Sequence, residues 1–175
     1  TNQHVKPLDV MENPYTGDAT VAVEVANKDL VFRYTSMRIE NVTKKVSSME
    51  MQIRLFYCGT RAINLLADLT NYIMLELGQP MHAFDCSYLE GNEICVRRAH
   101  EGEKIVTLDE QEYTMSPANL VICDGVKPVA LAGVMGGLNS EIRDTTESVM
   151  FEAAKFARDN VRKTARALGK SSDSS

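Results

Sequence analysis

Apolar and polar residues alternate at Val21, Val23 and Val25, the two-residue period of a half-buried strand. Residues 33–42 read as a second strand. Ser47 to Glu50 then has the spacing of a capping box, and Met49, Ile53, Phe56 and Tyr57 follow at helical period up to a stop at Gly59. A longer helix is predicted over residues 62–77, with Ile63, Leu66, Ala67, Ile73 and Leu77 as its buried stripe and Asn64, Asp68 and Asn71 sharing another face. The run stops at Gly78 and Pro80 and delivers His82 onto a short connection between elements.

Beyond it the period shortens again. Ile94 and Val96, then residues 105–108, read as strands, and the continuous apolar runs 120–123 and 129–135 suit buried central strands. Residues 148–152 form one more. A terminal helix over 159–168 ends at Gly169, with Val161, Ala165 and Leu168 inward. Arg158, Arg162 and Arg166 recur every four residues on its outer face, joined by Lys163 and Lys170; such a stripe is either a solvated face or a contact for phosphate. Strands and helices mixed without βαβ alternation predict an α+β fold, mixed β-sheets with packed helices.

The 175 residues carry a net charge of −5, which argues against a surface that grips nucleic acid unaided. No apolar run approaches the roughly 20 residues needed to cross a bilayer. Residues 1–20 are a polar, turn-rich flank without a signal-peptide core, and residues 171–175 are a polar tail. The lack of an initiator methionine is read as the mark of a piece of something longer, with the working module over residues 21–175. Cys58, Cys86, Cys95 and Cys123 lie far apart with no paired spacing, so free thiols in a reducing cytoplasm are expected rather than a zinc site.

The familiar catalytic signatures (nucleophile elbow, P-loop, zinc-protease helix) are missing. His4 lies in the flank and His100 beside Glu101 in a charged turn. His82 alone sits in a motif-like setting, open to a structural or a catalytic role. Glu152 ends an apolar strand, where a buried carboxylate needs a partner: either a protein group such as arginine, or a ligand hydroxyl. Gly136 and Gly137 close the 129–135 run, either to let a backbone or ligand approach or to take a positive φ in a loop.

Several strings, taken in order, resemble the editing module of bacterial phenylalanyl-tRNA synthetase beta chains, formed by the third and fourth domains of that chain. The longest is Asn71-Tyr-Ile-Met-Leu-Glu-Leu-Gly-Gln-Pro-Met-His-Ala-Phe-Asp85. Others are Arg38-Ile-Glu-Asn-Val42, Thr107-Leu-Asp109, Pro128-Val-Ala-Leu-Ala-Gly-Val-Met-Gly-Gly137, Phe151-Glu-Ala-Ala154 and Thr164-Ala-Arg-Ala-Leu-Gly169. The resemblance implies that family's α+β fold and a hydrolase acting on tyrosyl-tRNA(Phe), the mischarged product. It implies His82 and Asn71 at the reacting ester, and Thr70, Gly136, Glu152, Ser172 and Ser174 around the substrate, with Glu152 recognising the tyrosine phenol. Ser172 stands where the family has threonine, and Ser174 where it has a pocket alanine, which adds a hydroxyl to the pocket. The implied partners are the aminoacylated 3′ end of tRNA(Phe), the alpha subunit and the remaining beta-chain domains. No cofactor is implied for this segment, ATP and Mg2+ belonging to the intact synthetase, and no membrane. The alternative is a non-catalytic tRNA-binding or subunit-assembly domain of the same synthetase.

Overall fold

A computed structural model of the chain describes His4 and residues 21–170. The flank at 1–20, apart from His4, and Ser172 and Ser174 lie outside the described residues. Two sheets are stacked face to face. The first has strand order β1 (Ala22–Val25), β4 (Glu93–Arg98), β7 (Leu120–Cys123), β8 (Pro128–Leu131), β9 (Met135–Gly136). Its β1–β4 pair is parallel and the others antiparallel. The second sheet is antiparallel, with β10 (Val149–Phe156) between β2 (Val31–Ile39) and β3 (Met81–Asp85). A short hairpin, β5 (Lys104–Val106) and β6 (Glu112–Thr114), forms a third, two-stranded sheet whose Ile105 packs with Val121 and Leu131.

Strand alternation sorts the apolar residues into three layers. Phe84 and Met150 of the three-stranded sheet meet Ile94, Val96, Leu120, Ile122 and Ala130 of the five-stranded sheet. On the opposite face of β3 and β10, Ala83, Val149 and Phe151 pack against Leu66 and Leu69 of α2 (Leu65–Leu77). Beyond the five-stranded sheet, Val121, Cys123 and Leu131 pack against Val161 and Ala165 of α3 (Arg158–Ala167). The α+β architecture expected from the pattern is therefore the one formed, with a helix on each outer side of two sheets.

Four local expectations need correction. The run 129–135 is not one strand: it turns back at Gly133, whose φ of +69° favours glycine, so β8 and β9 form a hairpin. The first helix, α1 (Met49–Tyr57), is capped by Ser48, which accepts from the Met51 N–H, one residue later than the capping-box spacing indicates. Ser47 instead donates to the buried carboxylate of Asp68. Met49, Ile53, Phe56 and Tyr57 all face outward, and Leu55 is the residue that α1 buries. Finally, α2 begins at Leu65 because Asn64 caps it, accepting from the Ala67 N–H at 3.0 Å; Ile63 is left exposed before the helix starts, and Leu77 is exposed at its end.

Candidate active site

His82 lies within β3 rather than on a connecting loop, with its backbone held against β10. The stretch Met81–Asp85 looks like a link in sequence because its partner strand begins more than sixty residues later. In the antiparallel register His82 stands directly opposite Glu152, and Glu152 opposite Ser36 on β2. Directly opposed residues share a sheet face, so imidazole and carboxyl both point toward the five-stranded sheet.

Between the sheets lies a cleft of about 420 Å³, large enough for a small organic group. Its walls include His82, Glu152, Gly136, Ile122, Phe156 and Arg158, and residues 78–80 from the end of α2 form part of its lining. Gly78 ends α2 with φ +70°, and Gln79 Nε2 reaches back to the Ala154 carbonyl at 3.3 Å. The helix end is thereby tied beside the cleft.

Gly136 has a specific steric task. A Cβ built there would lie 2.5 Å from His82 Nε2 and clash with Cε1 as well, so the imidazole rests against bare backbone. Neither glycine of the pair takes a positive φ, and Gly137 has φ −81°. Close approach is therefore the reason for both: a Cβ at Gly137 would meet the Val129 carbonyl oxygen at 2.6 Å.

Glu152 is 5% exposed, and among the described residues no cation is paired with it. Among the described residues its one hydrogen-bond partner is Tyr34, whose hydroxyl donates to Oε2 at 3.2 Å. Burial pushes the Glu152 carboxyl up to about 8, and the Tyr34 hydrogen bond pulls weakly the other way. Burial, together with the neighbouring Glu152, holds the Tyr34 phenol well above its ordinary value. Burial lowers His82 to about 4, and its ring packs edge-on against Phe84 at 4.5 Å between centroids. At neutral pH the two facing groups are thus a carboxylic acid and an uncharged imidazole.

His82, Gly136 and Glu152 are brought together. Thr70 and Asn71 are not: both are half-buried on α2, neither lines the cleft, and Thr70 Oγ1 donates to the Ala67 carbonyl of its own helix at 2.8 Å. Tyr34 has no sequence signal, because its hydrogen bond to Glu152 joins strands 118 positions apart. Among the described residues no group of three or more His, Cys, Asp or Glu could hold a metal ion, and no helix is long and apolar enough to cross a membrane.

The B3/4 domain family matches residues 31–175, which decides the assignment. The chain belongs to the B3/4 domain family. It is 46% identical over 164 residues to the phenylalanine–tRNA ligase beta subunit of Syntrophus aciditrophicus, covering 94% of this chain and 20% of that one. To the same subunit of Carboxydothermus hydrogenoformans it is 48% identical over 159 residues, 91% of this chain and 20% of the relative. The B3/4 chain thus spans about a fifth of the length of these relatives. In three dimensions it is similar to an N-terminal fragment of the phenylalanyl-tRNA synthetase beta subunit from Pyrococcus horikoshii, with a TM-score of 0.56 over 88% of this chain and 51% of the other. At 14% identity that likeness shows the fold alone.

Proposed function

We propose that this B3/4 domain is the editing module of a phenylalanine–tRNA ligase beta subunit and hydrolyses tyrosine mistakenly esterified to tRNA(Phe). One observation carries the reading: a buried acid, with no ion-pair partner among the described residues, stands beside an imidazole on one wall of a cleft large enough for an aromatic side chain. A tyrosine phenol in that cleft supplies a partner for the Glu152 oxygen that Tyr34 leaves free, whereas phenylalanine leaves it unpaired. Buried polar groups stranded in this way cost about 1–3 kcal/mol, and sites built to bond a hydroxyl reject the analogue lacking it.

His82 serves as the group that orients water rather than as a strong base. With a pKa near 4 it is uncharged at neutral pH, able to accept a hydrogen bond but poorly matched to carry a proton. The attacking water adds to the ester carbonyl, and the terminal ribose oxygen of the tRNA leaves as a hydroxyl. Gly136 keeps the imidazole flush with the wall. Asn71, Thr70, Ser172 and Ser174 enter this reading through the family resemblance alone. The segment needs no cofactor in it; tRNA, the alpha subunit and the rest of the beta chain are its partners, and the cytoplasm its compartment.

The test is deacylation of tyrosyl-tRNA(Phe) by the intact synthetase with wild-type chain, His82→Ala and Glu152→Ala. Both variants should lose rate, His82→Ala by about a hundredfold, the scale expected when the attacking water is no longer held in place. Glu152→Ala should also lose its preference for tyrosyl over phenylalanyl ester. Equal rates in all three would leave the domain a tRNA-binding or assembly role.

A further inference from the structure

Helix α3 carries its charge in an unusual way for an acidic chain. Arg158, Arg162, Lys163 and Arg166 supply four cations against the single acid Asp159, while the whole chain stands at −5. All four cations are exposed, and the opposite side of the helix buries Val161, Thr164 and Ala165. Arg158, Arg162 and Arg166 are spaced by four residues, so they form one row with steps of about 6 Å.

Among the described residues none of these four cations is in an ion pair. Elsewhere Arg38, Arg54, Arg97 and Arg98 are paired with Glu40, Glu50, Glu103 and Asp29, and Lys170 with Asp109. The row also leads somewhere: Arg158 and the exposed Lys155 both line the cleft that holds His82 and Glu152. A polyanion laid along the row would reach the cleft at its Arg158 end.

We infer that the exposed face of α3 is a docking strip for the phosphodiester backbone of a single-stranded polynucleotide whose esterified end enters the cleft. This rests on the hydrolytic reading above, and it names how the substrate is held. Positive charge clustered along one strip favours approach of the nucleic acid in one orientation, while the net negative charge of the chain disfavours non-specific binding. It also answers how an acidic domain can handle RNA: the gripping charge is local.

The test uses the intact synthetase carrying R162E/R166E or R162K/R166K, two exposed positions outside the cleft wall. Binding of a short single-stranded RNA and deacylation of tyrosyl-tRNA(Phe) are each followed across a salt series. R162E/R166E should weaken RNA binding and raise KM about tenfold or more, with kcat held within about twofold. The slope of log affinity against log salt should fall by about 1 to 1.5, near 0.7 for each phosphate no longer neutralised. R162K/R166K should keep the wild-type slope, and hydrolysis of a small tyrosine ester should be unchanged throughout. Unaltered KM and slope in R162E/R166E would overturn the docking strip while leaving the hydrolytic reading intact. Loss of subunit association with normal RNA binding would also overturn it, marking α3 as a protein-binding face. RNA binding that depends on the strip, in an enzyme that never deacylates tyrosyl-tRNA, would uphold the strip and sink the hydrolytic reading instead.

Discussion

Tyr34 donates its hydroxyl to Glu152 Oε2 at 3.2 Å, tying β2 to the central strand of the small sheet beneath the cleft. The internal phenol occupies one carboxyl oxygen and fixes the direction in which the other points. Tyr34→Phe should therefore destabilise the domain by about 1–3 kcal/mol, since a buried acid loses its partner. Because that hydrogen bond lowers the Glu152 pKa, its removal should also raise it above 8. Chemical denaturation, together with NMR titration of the Glu152 carboxyl, checks both; an unmoved pKa would contradict the assignment.

Stability should depend on pH through the same cleft. Glu152 is raised from 4.5 to about 8 on folding, so its contribution is full below pH 4.5 and is lost as pH climbs toward 8. His82 is lowered from 6.5 to about 4, so its contribution is full above pH 6.5 and is lost as pH falls toward 4. Between 4.5 and 6.5 the two slopes oppose each other. From 6.5 to 8 Glu152 acts alone, and stability should drop by about 2 kcal/mol. Urea unfolding at the two pH values measures the fall, and Glu152→Gln should abolish it.

Gly136→Ala should damage the site more than its one carbon indicates. The new Cβ cannot coexist with the imidazole where it stands, so the ring must turn away. Overpacking of this kind costs about 1–3 kcal/mol. Deacylation should fall by about a hundredfold, as expected for a displacement near 1 Å. A variant with wild-type rate would show that the position of His82 is unimportant.

The four thiols are free in the structure and should respond to a thiol reagent unequally. Cys58 is exposed at the end of α1, whereas Cys123 is buried in β7, and burial pushes its thiol up to about 12. Brief labelling followed by mass spectrometry should find Cys58 modified and Cys123 untouched until the chain is unfolded.

Much of the fold was legible in local patterns. Strand β7 begins and ends where its apolar run does, and α3 stops as expected before Gly169, whose φ is +65°. What escaped the sequence was non-local. Helical periodicity in α1 reveals an apolar face but not whether anything covers it, and Met49, Ile53, Phe56 and Tyr57 are uncovered here. The strand nature of the His82 segment depends on β10, and the role of Tyr34 on a hydrogen bond spanning 118 positions. Of the candidate site, His82, Gly136 and Glu152 were each legible as oddities: a histidine after a helix stop, a glycine pair, a carboxylate on an apolar strand. Their convergence was not, because it is produced by the register of β3 on β10 and by the β8–β9 hairpin.

That register has a lasting effect. The gap between imidazole and acid is inherited from two hydrogen-bonded main chains, so it belongs to the ladder rather than to a loop that could drift. Exchanging either side chain would change the chemistry of the opening without moving the two main chains that carry them. Conversely, a one-rung slip of β3 would turn His82 toward α2 and disarm the site even with every residue still in place.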